Sequence, residues 1–421
     1  MNVLDLYRAI GSDDDQGRGP SAAPAPLFNL HVHLPPNFSA FDSIADLVAQ
    51  ARAENIRILG VTNYYDHRVY DTFCAAAADA GILPLFGLEI MAQVADLAAA
   101  SVRVNDPNNP GRMYLCGKAI AHYAAPPPRA AAVLDFIRTS DRDRMAEMIR
   151  RLSERFAAAG IDVPSGDAPV IADVAGRCGC PPDWVTLQER HVARAMQEAF
   201  CRQVPADERA AALGRVLGQP VAAVGTDPAA LQGVIRSGLM KAGKPAFVTE
   251  NFVSFEQARG LILDLGGIPC YPTLADGADP RCEYEADLPA LVDDLRQRGI
   301  HAAEFIPVRN TPGVLERYAA AYREAGIIVV AGTEHNTAQR IPLDPRCRGG
   351  EPLPAGVRAL AFEGACVCVA HQYRTARGEP GYVSADGTPA PGFASADERI
   401  AHFARLGRTV MQAYWTSNPG P

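Results

Sequence analysis

The stretch LFNLHVHLPPNFSAFDSIADLVAQARAENIRILGVTNYYDHRVYDTFCAAAADAGILPLFGLEI (27–90) decides the fold. It opens on a short apolar strand, LFNLHVH (27–33). IADLVAQARAEN (44–55) then carries apolar residues at helical spacing, and IRILGVTN (56–63) is again a strand. Residues 69–80 read as helix and LPLFGLEI (83–90) as a third strand. Strands that alternate with helices imply a parallel sheet or barrel. The alternation returns downstream. FVSFEQARGLILDLGG (252–267) reads as helix, GIPCYP (267–272) as strand and DLPALVDDLRQRG (287–299) as helix. IHAAEFIP (300–307) is a strand, TPGVLERYAAAYREAG (311–326) a helix, and IIVVAGTEH (327–335) a strand with its end.

Between the two halves the chain turns Ala- and Arg-rich. RDRMAEMIRRLSERFAAAG (142–160) is an amphipathic helix stopped by Gly160, and TLQERHVARAMQEAF (186–200) has Thr186 as N-cap with Glu189 three residues on. These features predict a helical insertion over 92–244, with barrel segments at 27–91 and 245–345. Residues 1–26 are expected to form a short helix and a mobile Asp/Gly/Ser/Pro-rich linker over 12–26. Residues 346–421 form a C-terminal extension, Gly/Pro-rich and irregular at first, with a last amphipathic helix near Ser395–Tyr414. That extension either caps the barrel or makes a subunit contact.

The chain has 421 residues, 48% of them hydrophobic, enough for a large barrel with additions. The net charge of −8 and the lack of a Lys/Arg run argue against duplex nucleic acid as a partner. No uncharged apolar run reaches membrane-spanning length, and the N-terminus lacks the pattern of a signal peptide. None of the ten Cys forms a CxxC pair, which fits thiols in a reducing cytoplasm. The expected partner is a small molecule that can carry a phosphate, and homo-oligomerisation stays open.

His31 and His33 stand two apart at a strand end, so both imidazoles face one spot. At the mouth of a parallel barrel such a pair suits a divalent metal, although two partly exposed His on a strand would look the same. Glu89 ends another strand, and Glu334 with His335 ends a third. Glu304 lies inside HAAEF, at either a core-edge or a mouth position. Acids and imidazoles at several strand ends converge only when the strands close into a barrel.

The order NLHVH, GVTNYYDH, GLEI, GGIPCYP, AEF, AGTEH resembles that of the PHP (polymerase and histidinol phosphatase) superfamily. Its members show HxH, a TDHD-like motif, GxE, an HP dipeptide and a terminal GSDxH. The resemblance covers about 28–91 and 245–340, and RDRMAEMIRRL and ERHVARAM resemble the insertion of PHP phosphoesterases that act on nucleotides and short oligonucleotides. It implies a distorted (β/α)7 TIM-like barrel with a helical insertion after the third strand, and a metal-dependent hydrolase. By the same resemblance Arg190 and His191 would help hold a substrate phosphate.

The departures from the pattern cluster. Tyr271 replaces the HP histidine, Tyr114 the His after GxE, and Tyr64 the His of TDHD. Asn37 and Phe38 lie nearest to a missing Asp, and GTEHN places Glu334 and Asn336 where Asp and His are usual. What survives is the ligand set of one metal: His31, His33, Glu89 and Glu334. The expectation is one divalent ion per chain, Mn²⁺, Zn²⁺ or Fe²⁺. A shifted register at 63–67 or 334–336 would instead restore His67 or His335 as a ligand. Asp66 or His67 could move a proton, as could His335, and Tyr271 could donate a hydrogen bond to a developing oxyanion. Tyr64 and Tyr114 would line the substrate site. Phosphoester hydrolysis on a sugar phosphate or nucleotide is the first reading. An isomerase, lyase or lactonase step on a sugar-derived acid, or a barrel that only binds ligand, are the alternatives.

Overall fold

The computed structural model describes residues 3–8, 25–221, 227–337 and 339–418. The linker expected over 12–26 falls outside them as far as residue 24. The chain divides into two compact units. The first comprises the described residues within Met1–Leu34, Ser43–Leu134 and Phe252–Pro421. The second comprises Pro35–Asp42 and Asp135–Asn251.

The first unit holds one sheet, built from β1 (Leu27–Val32), β2 (Ile56–Tyr64), β3 (Leu83–Gln93), β4 (Arg112–Lys118), β5 (Val253–Ser254), β6 (Ile268–Thr273), β7 (Ala302–Phe305) and β8 (Ile328–Ala331). The order is β1-β2-β3-β4-β6-β7-β8, with β5 paired to β3. Pairing is parallel for β1–β2, β2–β3, β6–β7 and β7–β8, and antiparallel where β4 meets β3 and β6. β7 and β8 are buried along their whole length and β2 and β3 along most of theirs, as expected of strands covered on both faces. The ring nearly closes at the segment after β8. The Glu334 amide donates to the His31 carbonyl (2.8 Å), and the His33 amide to the Glu334 carbonyl (2.8 Å).

The result is an α/β barrel of TIM-like form. A fourth strand, β4, comes before the helical insertion, inside the stretch expected to be helical. MYLCGK is a run too short for a helix, and its Gly117 packs on Ile262, where a Cβ would lie 3.0 Å from that side chain.

The C-terminal region is more regular than its Gly/Pro content suggests. A 22-residue helix, Ala355–Ala376, runs where irregular chain is expected. It buries residues right around its circumference from Gly364 to Tyr373, so it carries no amphipathic stripe to reveal it. It lies close on the sheet and on the last helix, Ala396–Ser417. A Cβ at Gly364 would sit 1.9 Å from the Val329 carbonyl oxygen, and one at Gly407 1.9 Å from that of Cys366. The Gln372 amide reaches the start of β3, accepting from the Phe86 amide (2.9 Å) and donating to the Pro84 carbonyl (3.2 Å). The extension is therefore part of the barrel unit's own core. Among the described residues, no helix is long and apolar enough to cross a membrane.

Residues 92–134, expected in the insertion, belong to the first unit instead. The second unit is helical. Its core joins Met148, Leu152 and Phe156 to Val192, Met196 and Phe200 and to Leu213, Leu231 and Leu239.

Gly364→Ala and Gly407→Ala should each destabilise the protein by about 1–3 kcal/mol or more, because backbone rather than a mobile side chain stands in the way. Gly356→Ala, which meets nothing within 4 Å, should leave stability unchanged or slightly raised. Urea unfolding of the three variants checks this.

Candidate metal centre

Residues opposed across paired strands share a face of the sheet. The registers Tyr64–Glu89, Glu89–Cys116, Cys116–Cys270 and Pro272–Glu304 carry one face from β2 round to β7. Alternation adds Tyr114 and Lys118 to it. His31 and His33 join that face from the end of β1.

There, three ligand atoms converge. His31 Nε2 lies 3.3 Å from His33 Nε2 and 3.6 Å from Glu89 Oε2, and His33 Nε2 lies 3.2 Å from the same oxygen. All three residues are buried, and Glu89 Oε2 makes no well-formed hydrogen bond. Ligand atoms held about 2.0–2.2 Å from a tetrahedral ion are separated by about 3.3–3.6 Å. The spacing, the mixed imidazole–carboxylate set and the buried oxygen without a donor all fit a divalent cation.

Behind the site stands a fixed carboxylate. Glu304, fully buried, lies with Oε2 2.8 Å from His31 Nδ1 and Oε1 2.5 Å from Lys118 Nζ. Nδ1–H donating to Glu304 turns the Nε2 lone pair toward Glu89 and His33. Burial alone would push the His31 imidazole down and the two carboxyl groups up. The charge of Glu304 instead raises His31 to about 9. The nearby imidazoles of His31 and His33 hold Glu89 below the usual carboxylate range, and His31 with Lys118 does the same for Glu304. His31, Cys116 and Glu304 form a second grouping of possible ligands, but the Lys118 ammonium already supplies its positive charge.

Glu334 is differently placed from the other three expected ligands. Its backbone joins β1, with φ of 61° at Glu334 and 53° at His335, a left-handed pair rare outside glycine. Its carboxylate pairs with the Arg309 guanidinium and accepts from Asn336 Nδ2 (2.8 Å). It stands outside the group of three convergent ligands, paired instead with Arg309 and Asn336.

The aromatic expectations divide. Tyr64 lies beside the site, its ring 5.0 Å from that of His33 and 6.5 Å from that of Tyr114. Tyr271 faces the other way. It neighbours Cys270 on the strand, so alternation turns it out toward the helices, where its hydroxyl donates to the buried Glu285 (2.7 Å). It is a core residue, not an oxyanion donor.

His335 likewise serves the fold. Its Nδ1 bonds Thr333 Oγ1 (2.7 Å) and its Nε2 donates to the Ile341 carbonyl (2.9 Å). Neither nitrogen is left to bind a metal or move a proton. Asp66 is clamped by Arg68 (2.6 Å), and His67 packs against Tyr70 and Tyr123. His191 and Arg190 belong to the second unit. His191 Nδ1 accepts from the Gln188 amide (3.1 Å) at the start of the helix Glu189–Gln203, and burial pushes its pKa down to about 3. Arg190 stacks over Phe38, 5.9 Å from the ring centre. Lys118 and Arg309 escape a reading of motifs. The one available signal for Lys118 is a lysine closing an apolar strand, which needs a buried partner.

Glu304→Gln should weaken Mn²⁺ or Zn²⁺ binding about 10–100-fold, because His31 loses its orienting charge. The double variant Lys118→Met/Glu304→Gln leaves no unpaired charge buried and should show the same loss by calorimetry. A second prediction concerns Glu285, which burial raises from 4.5 to about 7 despite donors from Leu274, Tyr271 and Ala275. Between pH 4.5 and 7 the unfolded chain gives up this proton while the folded chain keeps it, so stability should fall as pH rises through that window. Denaturation of Glu285→Gln across the window should show a flatter profile than the parent.

No family model matches the chain, and no curated protein does. Several solved structures resemble it, among them the following two. One, from Bifidobacterium adolescentis and assigned as a metal-dependent phosphoesterase, aligns at TM-score 0.53 and 17% identity over 80% of this chain and 96% of its own. The other is an amidohydrolase from Chromobacterium violaceum with bound sulfate and no metal, at TM-score 0.50 and 20% identity over 79% and 96%. The chain therefore shares a TIM-like α/β barrel fold with these two structures.

Proposed function

We propose that the protein is a metal-dependent hydrolase acting on a small phosphate ester, with one divalent ion per chain held by His31, His33 and Glu89. The convergence of three buried ligand atoms within 3.6 Å of one another carries this reading. The two structural likenesses support it: one neighbour is assigned as a metal-dependent phosphoesterase, and the other holds a sulfate, a tetrahedral oxyanion like phosphate. A divalent cation supplies Lewis acidity toward a phosphoryl oxygen and makes water easier to deprotonate.

The chain's own residues supply the rest. Glu304 fixes the imidazole of His31 in the ligating tautomer. Arg309, whose side chain is 42% exposed, offers guanidinium N–H groups to an anion beside the site. Tyr64 and Tyr114 present aromatic rings along one side, suited to the apolar face of a small ligand. Buried ligands and an arginine on the rim favour a compact anionic substrate over a polymer duplex.

The chelated protein, resupplied with Mn²⁺ or Zn²⁺, should hydrolyse p-nitrophenyl phosphate or its diester, and Glu89→Gln should lose at least about 100-fold in kcat/KM. A protein that holds its metal tightly yet leaves every phosphoester intact would sink this reading, and would turn attention to isomerase, lyase or lactonase chemistry on a sugar-derived acid.

A further inference from the structure

Of the thirteen tyrosines in the chain, nine are buried. Three of the others, Tyr64, Tyr65 and Tyr114, stand together, half-buried, beside the metal cluster. Tyr64 is the centre of the group. Its ring lies 5.0 Å from that of His33, 6.1 Å from that of Tyr65 and 6.5 Å from that of Tyr114. A tyrosine used for packing gives up its ring faces to neighbours, as Tyr70 and Tyr123 do around Phe86, all three of them buried. Rings left partly open next to a ligand imidazole keep apolar surface for another molecule.

The backbone commits Tyr65 to this group. Tyr64 ends β2 opposite Glu89 and shares its face. One residue on, regular alternation would turn Tyr65 away. Instead Tyr65 has a φ of 26°, a left-handed value that a bulky side chain rarely takes, and its ring lies beside that of Tyr64. The Tyr65 amide donates to the Glu89 carbonyl (3.2 Å), and Asp66, held by Arg68, fixes the turn that follows. On the other side of Tyr64, Tyr114 on β4 stands directly opposite Met91 on β3. Met91 lies two residues beyond Glu89, on the same face, and is half-buried too. Its thioether adds an adaptable apolar surface next to the rings.

We propose that Tyr64, Tyr65, Tyr114 and Met91 form a wall that binds the leaving group of the substrate, and that this group is a puckered, sugar-like ring whose C–H face lies on the tyrosines. The proposal rests on the phosphoester reading above, which puts the phosphoryl group at the metal. A flat base held between two rings needs parallel planes about 7 Å apart, twice the contact distance of about 3.5 Å. Tyr64 is tilted by 52° to Tyr114 and by 56° to Tyr65, so neither pair makes such a slot. Tilted rings make a concave surface instead. A puckered ring lays C–H groups against more than one of them, where a flat ring that follows one tyrosine meets the next only by its edge.

Inert phosphonates test the wall without any assay of turnover. The full chain, loaded with Mn²⁺, is titrated by calorimetry with methylphosphonate, cyclohexylphosphonate and phenylphosphonate. Cyclohexylphosphonate should bind about 10-fold or more tighter than methylphosphonate, and tighter than phenylphosphonate. Tyr65→Ala and Tyr114→Ala should each lower the cyclohexyl-to-methyl affinity ratio several-fold. Tyr65→Phe should keep it, since the ring face and not the hydroxyl makes the contact. Mn²⁺ content and thermal melts of each variant check that the metal site and the fold are intact. Equal affinity of the unaltered chain for the methyl and cyclohexyl compounds, or a ratio that both alanine variants leave unchanged, would overturn the wall and leave the hydrolase reading standing. Tighter binding of phenylphosphonate than of cyclohexylphosphonate would overturn the sugar-like ring in favour of a flat one. No binding of any phosphonate by the Mn²⁺-loaded chain would sink the phosphoester reading, and this proposal with it.

Discussion

A carboxylate with no exposure, held between an imidazole and an ammonium, is the interaction on which the candidate centre rests. Glu304 cannot be solvated, so its charge is tolerable only because His31 Nδ1 and Lys118 Nζ lie at 2.8 and 2.5 Å. The same pair of contacts fixes what His31 can do. With Nδ1 committed to Glu304, the Nε2 nitrogen has a single direction in which to act, and Glu89 and His33 wait there. Lys118 matters in this arrangement chiefly as the counter-charge that keeps Glu304 ionised. A neutral residue in its place would let Glu304 take a proton, and the orientation of His31 would weaken with it.

That triad needs the ring to close tightly, and Gly332 makes this possible. A Cβ at residue 332 would fall 2.3 Å from His31 Cβ and 2.6 Å from its amide nitrogen. The AGTEH segment can therefore lie directly against the HxH strand, and the left-handed turn at Glu334 and His335 follows as the chain swings off the sheet. Close approach and unusual backbone sit together at the position where the carboxylate must be aimed, as expected when strain serves a site.

How much of this was legible in the sequence depends on the kind of signal each residue carries. The strand–helix alternation and the strand-end pairs HxH and GLE follow from period and spacing, and the structure brings His31, His33 and Glu89 together. Tyr271 is different. Position in a motif suggested the site, but a strand alternates its faces, and one residue decides between mouth and core. β4 and the helix Ala355–Ala376 were obscured for opposite reasons: the first is short and sits among helices, the second is buried on every side and so lacks periodicity. Arg309 had no signal at all. Its pairing with Glu334 comes from where the turn after β7 lands, a relation between residues 25 apart in the chain that only tertiary structure creates.

Charge balance ties these features together. Three carboxylates, Glu89, Glu304 and Glu334, share the barrel end with two permanent cations, Lys118 and Arg309. With His31 protonated the cluster carries no net charge, and one divalent ion that displaces that proton leaves a single positive one. A second divalent ion would raise that to three positive charges in a largely buried space, a state that low polarity strongly disfavours. The side-chain cations therefore bear on both the number of ions and the ligand the loaded site attracts.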